Sequence, residues 1–359
     1  MRQKQRKWIP RAHGAEVALR TALSLGIALC TLAFLGRLDL ASYAMFGSFC
    51  AVFGFNEPYR VRARTVGLAG LGILVSISTG ILLSAAHAPV AAIGVATLVL
   101  LALAVPANVV IGVIPAPPFF HVIALLVSTA IPTPGPEVPL RIAVAAGATA
   151  LAWLISLSGW VIRSAWPGHA RTSHVLARPF FKDLSRTPRI DFEALRDSRV
   201  WRSIAENLSG AVLAYVLAST LGGSRPYWAV LTVVCVIAPA RARPSAGHAI
   251  ERVIGTAVGL GVVWLLEPLQ LPAPVVIAII VVCQFFTQLF VVRAYAAGLV
   301  FITVMVFASL SFVVPLDGPI LVERLIETVI GSLAGLLVMF PGWLLDRRAA
   351  RRAARRADA

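Results

Sequence analysis

Charge is scarce in this chain, and negative charge is scarcer still. Of 359 residues, 16 are Asp or Glu and 32 are Lys or Arg, so charged residues make up 13% of the whole. Soluble domains carry about twice that share on surfaces that must face water, and a soluble globular fold is excluded. Cysteine is sparse as well. Cys30, Cys50, Cys235 and Cys283 all lie in apolar stretches, with no Cys-x-x-Cys pair. They read as small core residues rather than as a disulfide framework or a thiolate metal site. There is no His-x-x-x-His pair, no Gly-x-Ser-x-Gly and no phosphate loop, so neither an enzyme nor an ATP-driven engine is expected, and no cofactor.

Apolar residues fill the space that charge leaves. They form 58% of the chain, and the mean hydropathy is +0.85. A bilayer needs about 20 helical residues per crossing. Candidate crossings recur at Ala15–Gly36, Leu40–Phe55, Thr65–Ala86, Pro89–Ala107, Pro118–Ile131 and Val138–Ile162, then at Ile204–Gly222, Pro226–Ala238, Ile250–Leu266, Pro272–Val292, Tyr295–Val314 and Ile320–Leu345. The prolines of "PANVVIGVIPAPPFFH" (residues 106–121) blur one boundary. The expectation is an all-α polytopic membrane protein of about twelve transmembrane helices, arranged as two parallel six-helix repeats. Its parts are a basic N-terminus (1–14), a first repeat (15–162), a linker (163–203), a second repeat (204–345) and a basic tail (346–359).

The net charge of +16 would suit a nucleic-acid partner, but the basic residues flank the apolar segments, which is how orientation is set. With both termini cytoplasmic, Arg60, Arg62, Arg64, Arg241, Arg243, Arg293, the linker and the tail all fall inside. The outer loops keep Arg37, Arg225 and the residues around Arg141 and Arg324. That asymmetry predicts a multi-pass inner (plasma) membrane protein in contact with lipid and not with nucleic acid. The basic start "MRQKQRKWIPR" followed by an apolar run imitates a signal peptide, yet the run has a counterpart deep in the chain and is expected to be retained. The linker mixes charge with a few large apolar residues, as an amphipathic element on the inner leaflet would.

The two halves echo each other. "SYAMFGSFCAVFGFNEPYRVRARTVG" (42–67) aligns with "PYWAVLTVVCVIAPARARPSAGHAIERVIG" (226–255). Tyr43 answers Tyr227, Arg64-x-x-Gly67 answers Arg252-x-x-Gly255, and Arg141 and Arg324 open the last segment of each half. The second segment of each half is short and ends in a proline-containing polar break, "NEPYR" or "PARARP". Paired interruptions of this kind point to a transporter's binding site. Asn56 reads as an N-cap of the helix that follows, and Arg60 and Arg64 share one face of its first turns. Cations there oppose the helix dipole, whereas a helix N-terminus with guanidinium groups suits an anion. Lipid phosphates are the competing partner for such arginines.

Other candidates carry two readings each. Tyr227 and Trp228 are either interfacial anchors or a stacking surface for an aromatic acid. Gly255 with Gly259, and Gly331 with Gly335, read as close helix contacts. Glu16 with Arg20, and Arg324 with Glu327, are intramembrane charges one turn apart. His121 is a core histidine or a proton relay, and Gln284 with Gln288 joins helices or lines a path.

The stretches "RPYWAVLTVVCVIAP", "ERVIGTAVG", "RAYAAGLVFITVMV" and "ERLIETVIGSLAG" resemble the fusaric acid resistance and aromatic acid exporter superfamily, over about Ile204 to Leu345. The first half looks like a diverged copy, with Ala44 where that pattern has tryptophan. The resemblance implies an inner-membrane exporter of organic anions, with aromatic carboxylates foremost and proton coupling expected. Plant aluminium-activated malate transporters look like distant relatives, which keeps a passive anion channel open. A non-transporting envelope scaffold is the third reading. On the exporter reading, Arg64 and Arg252 attract the carboxylate, Tyr227 and Trp228 stack on it, Asn56 contributes at the break, and Arg141 and Arg324 supply outer positive potential. A homodimer is compatible with all three.

Overall fold

A computed structural model describes residues 11–114, 118–165, 186–223, 225–237, 246–314 and 318–357. Residues 239–244, which hold the expected second break with Arg241 and Arg243, lie outside the described residues, as do linker residues 166–185 and the chain ends. The described residues form α1 (Arg11–Phe34), α2 (Ala41–Ser48), α3 (Tyr59–Ala85), α4 (Val90–Ile111), α5 (Phe119–Ala130) and α6 (Val138–Ala165). These are followed by α7 (Ser198–Thr220), α8 (Tyr227–Val236), α9 (Ala246–Leu266), α10 (Ala273–Phe290), α11 (Tyr295–Leu310) and α12 (Gly318–Ala357). No strand occurs among them. Seven helices (α1, α3, α4, α6, α9, α10 and α12) are long and apolar enough to cross a membrane. The chain is a polytopic helical membrane protein.

The short apolar helices α2, α5, α8 and α11 fall below bilayer length, and burial explains why they can. Every residue of α2 is buried, and so are eight of ten in α8 and eight of twelve in α5. A helix that is apolar all round belongs inside protein. Once neighbours cover its ends, it has no need to reach both membrane faces. Around this centre the contacts of the first six helices recur among the last six. As α3 packs on α5 and α6, so α9 packs on α11 and α12, and as α2 packs on α6, so α8 packs on α12. Between the two sets, α1 meets α10 and α4 meets α7, while α2 meets α11 and α5 meets α8.

Small residues set the closest of these approaches. A Cβ on Gly255 would press into the Ala296 carbonyl at the start of α11, and one on Gly331 into the Ala229 carbonyl of α8. Gly259 would crowd Thr303, at 2.7 Å from its Cβ, and Gly335 would crowd Val236. Both glycine pairs therefore sit in helix contacts.

The first break is built differently from the N-cap expectation. Asn56 adopts a left-handed conformation (φ 56°) three residues before the helix, which asparagine tolerates, and Pro58 occupies the cap position with no side-chain bond. Asn56 is a turn residue, not a cap. The carbonyls at the end of the preceding segment are taken up by Arg20, which donates Nε to Ala51 O at 2.7 Å and Nη2 to Phe53 O. A cation at a helix C-terminus satisfies both the orphan acceptors and the dipole.

The linker residues that are described cross the same end of the molecule. The Arg186 backbone N–H donates to Asn56 O, and its side chain bonds Glu57 Oε1 at 2.8 Å and the Gly112 carbonyl. Asp191 N–H donates to Val110 O. Asp191 then caps a 3₁₀ turn (Phe192–Arg196), and Asp197 caps α7, so helix already occupies the last residues assigned to the linker. This strap ties the α2–α3 and α4–α5 connections together, and its end is called the linker end below.

Candidate functional site

Three cavities adjoin one another through shared walls. The first, of about 490 Å³, opens at the linker end. Phe49, Phe55, Phe119 and Phe120 wall it on one side; His248, Arg252, Gln284, Thr287, Gln288 and Tyr295 wall it on the other. A second cavity of about 20 Å³ shares Phe119, Ile123, Arg252 and Leu299 with the first and adds Trp228, Phe307 and Arg324. That is room for a water molecule and little more. A third, of about 300 Å³, shares Trp228 and Phe307 with the second and reaches Arg225, Tyr227 and Ile131 at the opposite end. The series is closed in its middle, where the Trp228 and Phe307 rings stack with centroids 6.2 Å apart.

Both guanidinium groups at that closure are buried, Arg252 to 3% exposure and Arg324 to 6%. Arg252 donates Nη1 to Tyr295 Oη at 3.2 Å, its Nε has no partner, and Tyr295 is held by stacking on His248 at 4.0 Å. Arg324 donates Nη1 to Trp228 O at 3.2 Å, and its guanidinium lies 4.4 Å from the Trp228 ring centre. Among the described residues neither takes part in an ion pair. Buried charges are ordinarily paired; two that are not, facing one narrow space, leave a place for an external anion.

The corresponding pair in the first half is filled. Arg141 lies 5.4 Å from the Tyr43 ring centre, as Arg324 lies over Trp228. Yet Arg141 donates to Tyr43 Oη (2.8 Å), Thr133 Oγ1 (2.7 Å) and Pro132 O (2.9 Å), and Nε and Nη2 both reach Glu137. Its donors are spent on protein. The two halves thus repeat an arginine-on-aromatic contact, and only the second leaves the cation available.

The other predicted residues are placed apart from one another. The structure brings Arg252, Arg324 and Trp228 together around the second cavity, with Tyr227 on the third. It does not bring Arg64 to them: Arg64 is exposed and donates to Pro188 O in the strap at 2.6 Å. The buried arginine of that turn is Arg62, which pairs with Glu16 at 3.0 Å. Arg20, read beside Glu16, instead caps the α2 segment. Trp228 is buried beneath Arg324 rather than standing as an interfacial anchor. His121 is buried with its Nε2 facing Gly72.

Outside the spans, two carboxyl–guanidinium pairs show opposite balances. Arg37 holds Asp39 below the usual carboxylate range through their hydrogen bond. Glu57 is wholly buried, and burial pushes its carboxyl above its ordinary value against the pull of Thr65 and Arg186. Burial likewise lowers Arg186, opposed by Glu57.

Residues 213–338 match the family described as fusaric acid resistance protein-like. Over that stretch the chain is similar to the family. Its fusaric acid resistance protein-like part holds Arg252, Arg324, Tyr227, Trp228 and Phe307, and so most of the walls of all three cavities. No curated protein and no solved structure gives a significant match to the chain.

Sequence reasoning missed three features of the site. Phe307 carried no signal beyond apolar periodicity. Thr287 and Gln284 each carry a buried oxygen without a partner and line the large cavity, and only the glutamine stood out as a polar residue in a span. The strap over the first half lay in a stretch read as a surface element.

Proposed function

We propose that the chain is an inner-membrane transporter of organic anions, working in efflux, in which Arg252 and Arg324 hold the substrate carboxylate. One observation carries the reading: two buried arginines without a carboxylate partner stand where a series of adjoining cavities narrows to a closed point. The recurrence of helix contacts supports two parallel six-helix repeats, 15–162 and 204–345, joined through the linker. The arginine-rich connections at the linker end favour that end, and both termini, as cytoplasmic. Arg64 adds positive potential to its rim. Membrane lipid is the surrounding partner, and the chain's exposed apolar helix faces leave room for a homodimer.

The large cavity favours an aromatic carboxylate. Its volume is that of a small-molecule site, and five aromatic rings line it beside one buried cation. The closed middle favours a gated carrier over an open anion channel, since a passive pore needs a continuous lumen. The test is efflux of benzoate, salicylate, malate and citrate from liposomes containing the purified chain, with and without a pH gradient. The reading expects benzoate-like acids to leave and Arg252→Met to stop them. If no carboxylate moves in correctly oriented protein, the reading fails and a non-transporting membrane role replaces it.

A further inference from the structure

One turn beyond Arg324 on α12 lies a carboxyl that the passage does not account for. Glu327 is wholly buried, and among the described residues neither of its oxygens has a hydrogen-bond partner within ordinary distance. Charged and titratable neighbours come from its own helix, Arg324 and Glu323, and from the start of α8, Arg225 and Tyr227. On the third side, in the turn after α7, lies Gly223, where a Cβ would stand 3.3 Å from Glu327 Oε1. Arg225 is already engaged: its N–H donates to Glu323 Oε1 at 3.1 Å and its Nη1 lies 3.7 Å from Glu323 Oε2. Among the described residues Arg324 is the nearby cation not already engaged by another carboxylate.

A lone carboxylate in such a place is costly, and two arrangements relieve it. It can pair with Arg324, three residues back on the same helix face, or it can take a proton. The first arrangement occupies the guanidinium that the substrate needs. We propose that Glu327 takes up one proton whenever Arg324 accepts a substrate carboxylate, so that anion and proton bind together. This rests on the anion-site reading of Arg252 and Arg324. In the empty passage ionised Glu327 offsets the Arg324 charge from one turn away, without the direct contact that would occupy the guanidinium. When RCOO⁻ arrives, Glu327 COO⁻ and H⁺ become COOH, and Arg324 turns to the substrate. On release the proton leaves Glu327 and the internal pair returns. The passage keeps the same net charge occupied and empty.

The test is calorimetry of benzoate binding to the full chain in detergent, in buffers of different ionisation heat, over a range of pH. Wild type takes up as much as one proton per benzoate, and its affinity rises toward about tenfold per pH unit lowered while free Glu327 is ionised. Glu327→Gln imitates the protonated state: it binds benzoate with no proton uptake, at the low-pH affinity at every pH. Glu327→Asp keeps the uptake. Infrared spectra read the same event without a variant, since the carbonyl band of a protonated carboxyl grows when benzoate is added to wild type at fixed pH. Unchanged uptake in Glu327→Gln, or binding to wild type without uptake and without that band, overturns the proposal alone. Failure of benzoate to bind wild type at any pH overturns the anion-site reading, and the proposal with it.

Discussion

Arg252 and Arg141 have the same burial and opposite surroundings, so replacing each with methionine separates a functional cation from a structural one. Methionine keeps an unbranched apolar stem and removes the charge. At Arg252 the loss is one hydrogen bond from a charged donor, to Tyr295, worth about 1.5–3 kcal/mol. Against it stands relief of burying an ion with no counter-charge, a penalty of several kcal/mol. Arg252→Met is therefore neutral to about 2 kcal/mol stabilising. Arg141→Met breaks a buried pair and strands Tyr43 Oη and Thr133 Oγ1. Such breaks cost about 3–5 kcal/mol, and Glu137 at 35% exposure holds the figure to the lower end. With about 2 °C per kcal/mol for a chain of this size, Arg141→Met melts roughly 6 °C lower while Arg252→Met does not fall. Tryptophan-fluorescence melting in detergent measures both, and liposome efflux shows Arg252→Met inactive despite its stability. If Arg252→Met loses as much stability as Arg141→Met, Arg252 is held as a structural group and the argument from its missing partner fails.

Four further outcomes follow from the geometry. Trp228→Ala removes one ring of the stack that closes the passage, so benzoate leaks through liposomes without any gradient; a tight membrane would place the closure elsewhere. Gly331→Leu cannot be housed against the Ala229 carbonyl and separates α12 from α8, with a loss of about 3 kcal/mol or more seen as early melting. Arg64→Ala retains efflux, because that side chain faces the strap rather than the cavities, as a flux assay shows. At Glu57 the folded-state value is raised, so the folded chain binds the proton more tightly than the unfolded one. Its contribution to stability is present below the ordinary carboxyl value and is lost as pH rises through the raised one. Glu57→Gln, which keeps an oxygen for Arg186, flattens the gain that wild type shows as pH falls through the raised value, as denaturation at several pH values reveals.

The membrane class was legible because it rests on composition, and the helix bounds because prolines and glycines mark most of them. The order of aromatics and arginines in the two halves pointed to their meeting, and Arg141 does lie over Tyr43, but Arg324 lies over Trp228 and not over Tyr227, the residue aligned with Tyr43. The equivalence of Arg64 and Arg252 was not carried through. Gly255 needs its missing side chain to meet Ala296, whereas a Cβ on Gly67 would stand 3.5 Å from Trp153, an ordinary contact. The shared motif therefore does not place the two arginines alike. Whether a guanidinium is spent or available depends on what the rest of the fold brings to it. Glu137 and Thr133 crowd Arg141, and nothing of the kind reaches Arg252. The surroundings of Glu327 were hidden for the same reason: spacing showed it near Arg324, and only the packing of α12 on α7 and α8 shows what else stands beside it.

The most direct test is the structure of the chain with 4-iodobenzoate bound in lipid nanodiscs. The account predicts the carboxylate within hydrogen-bond distance of Arg252 or Arg324, and the iodine among Phe119, Phe120 and Tyr295 in the large cavity. Iodine found only on the lipid-facing surface, with both guanidinium groups unoccupied at saturating ligand, contradicts it.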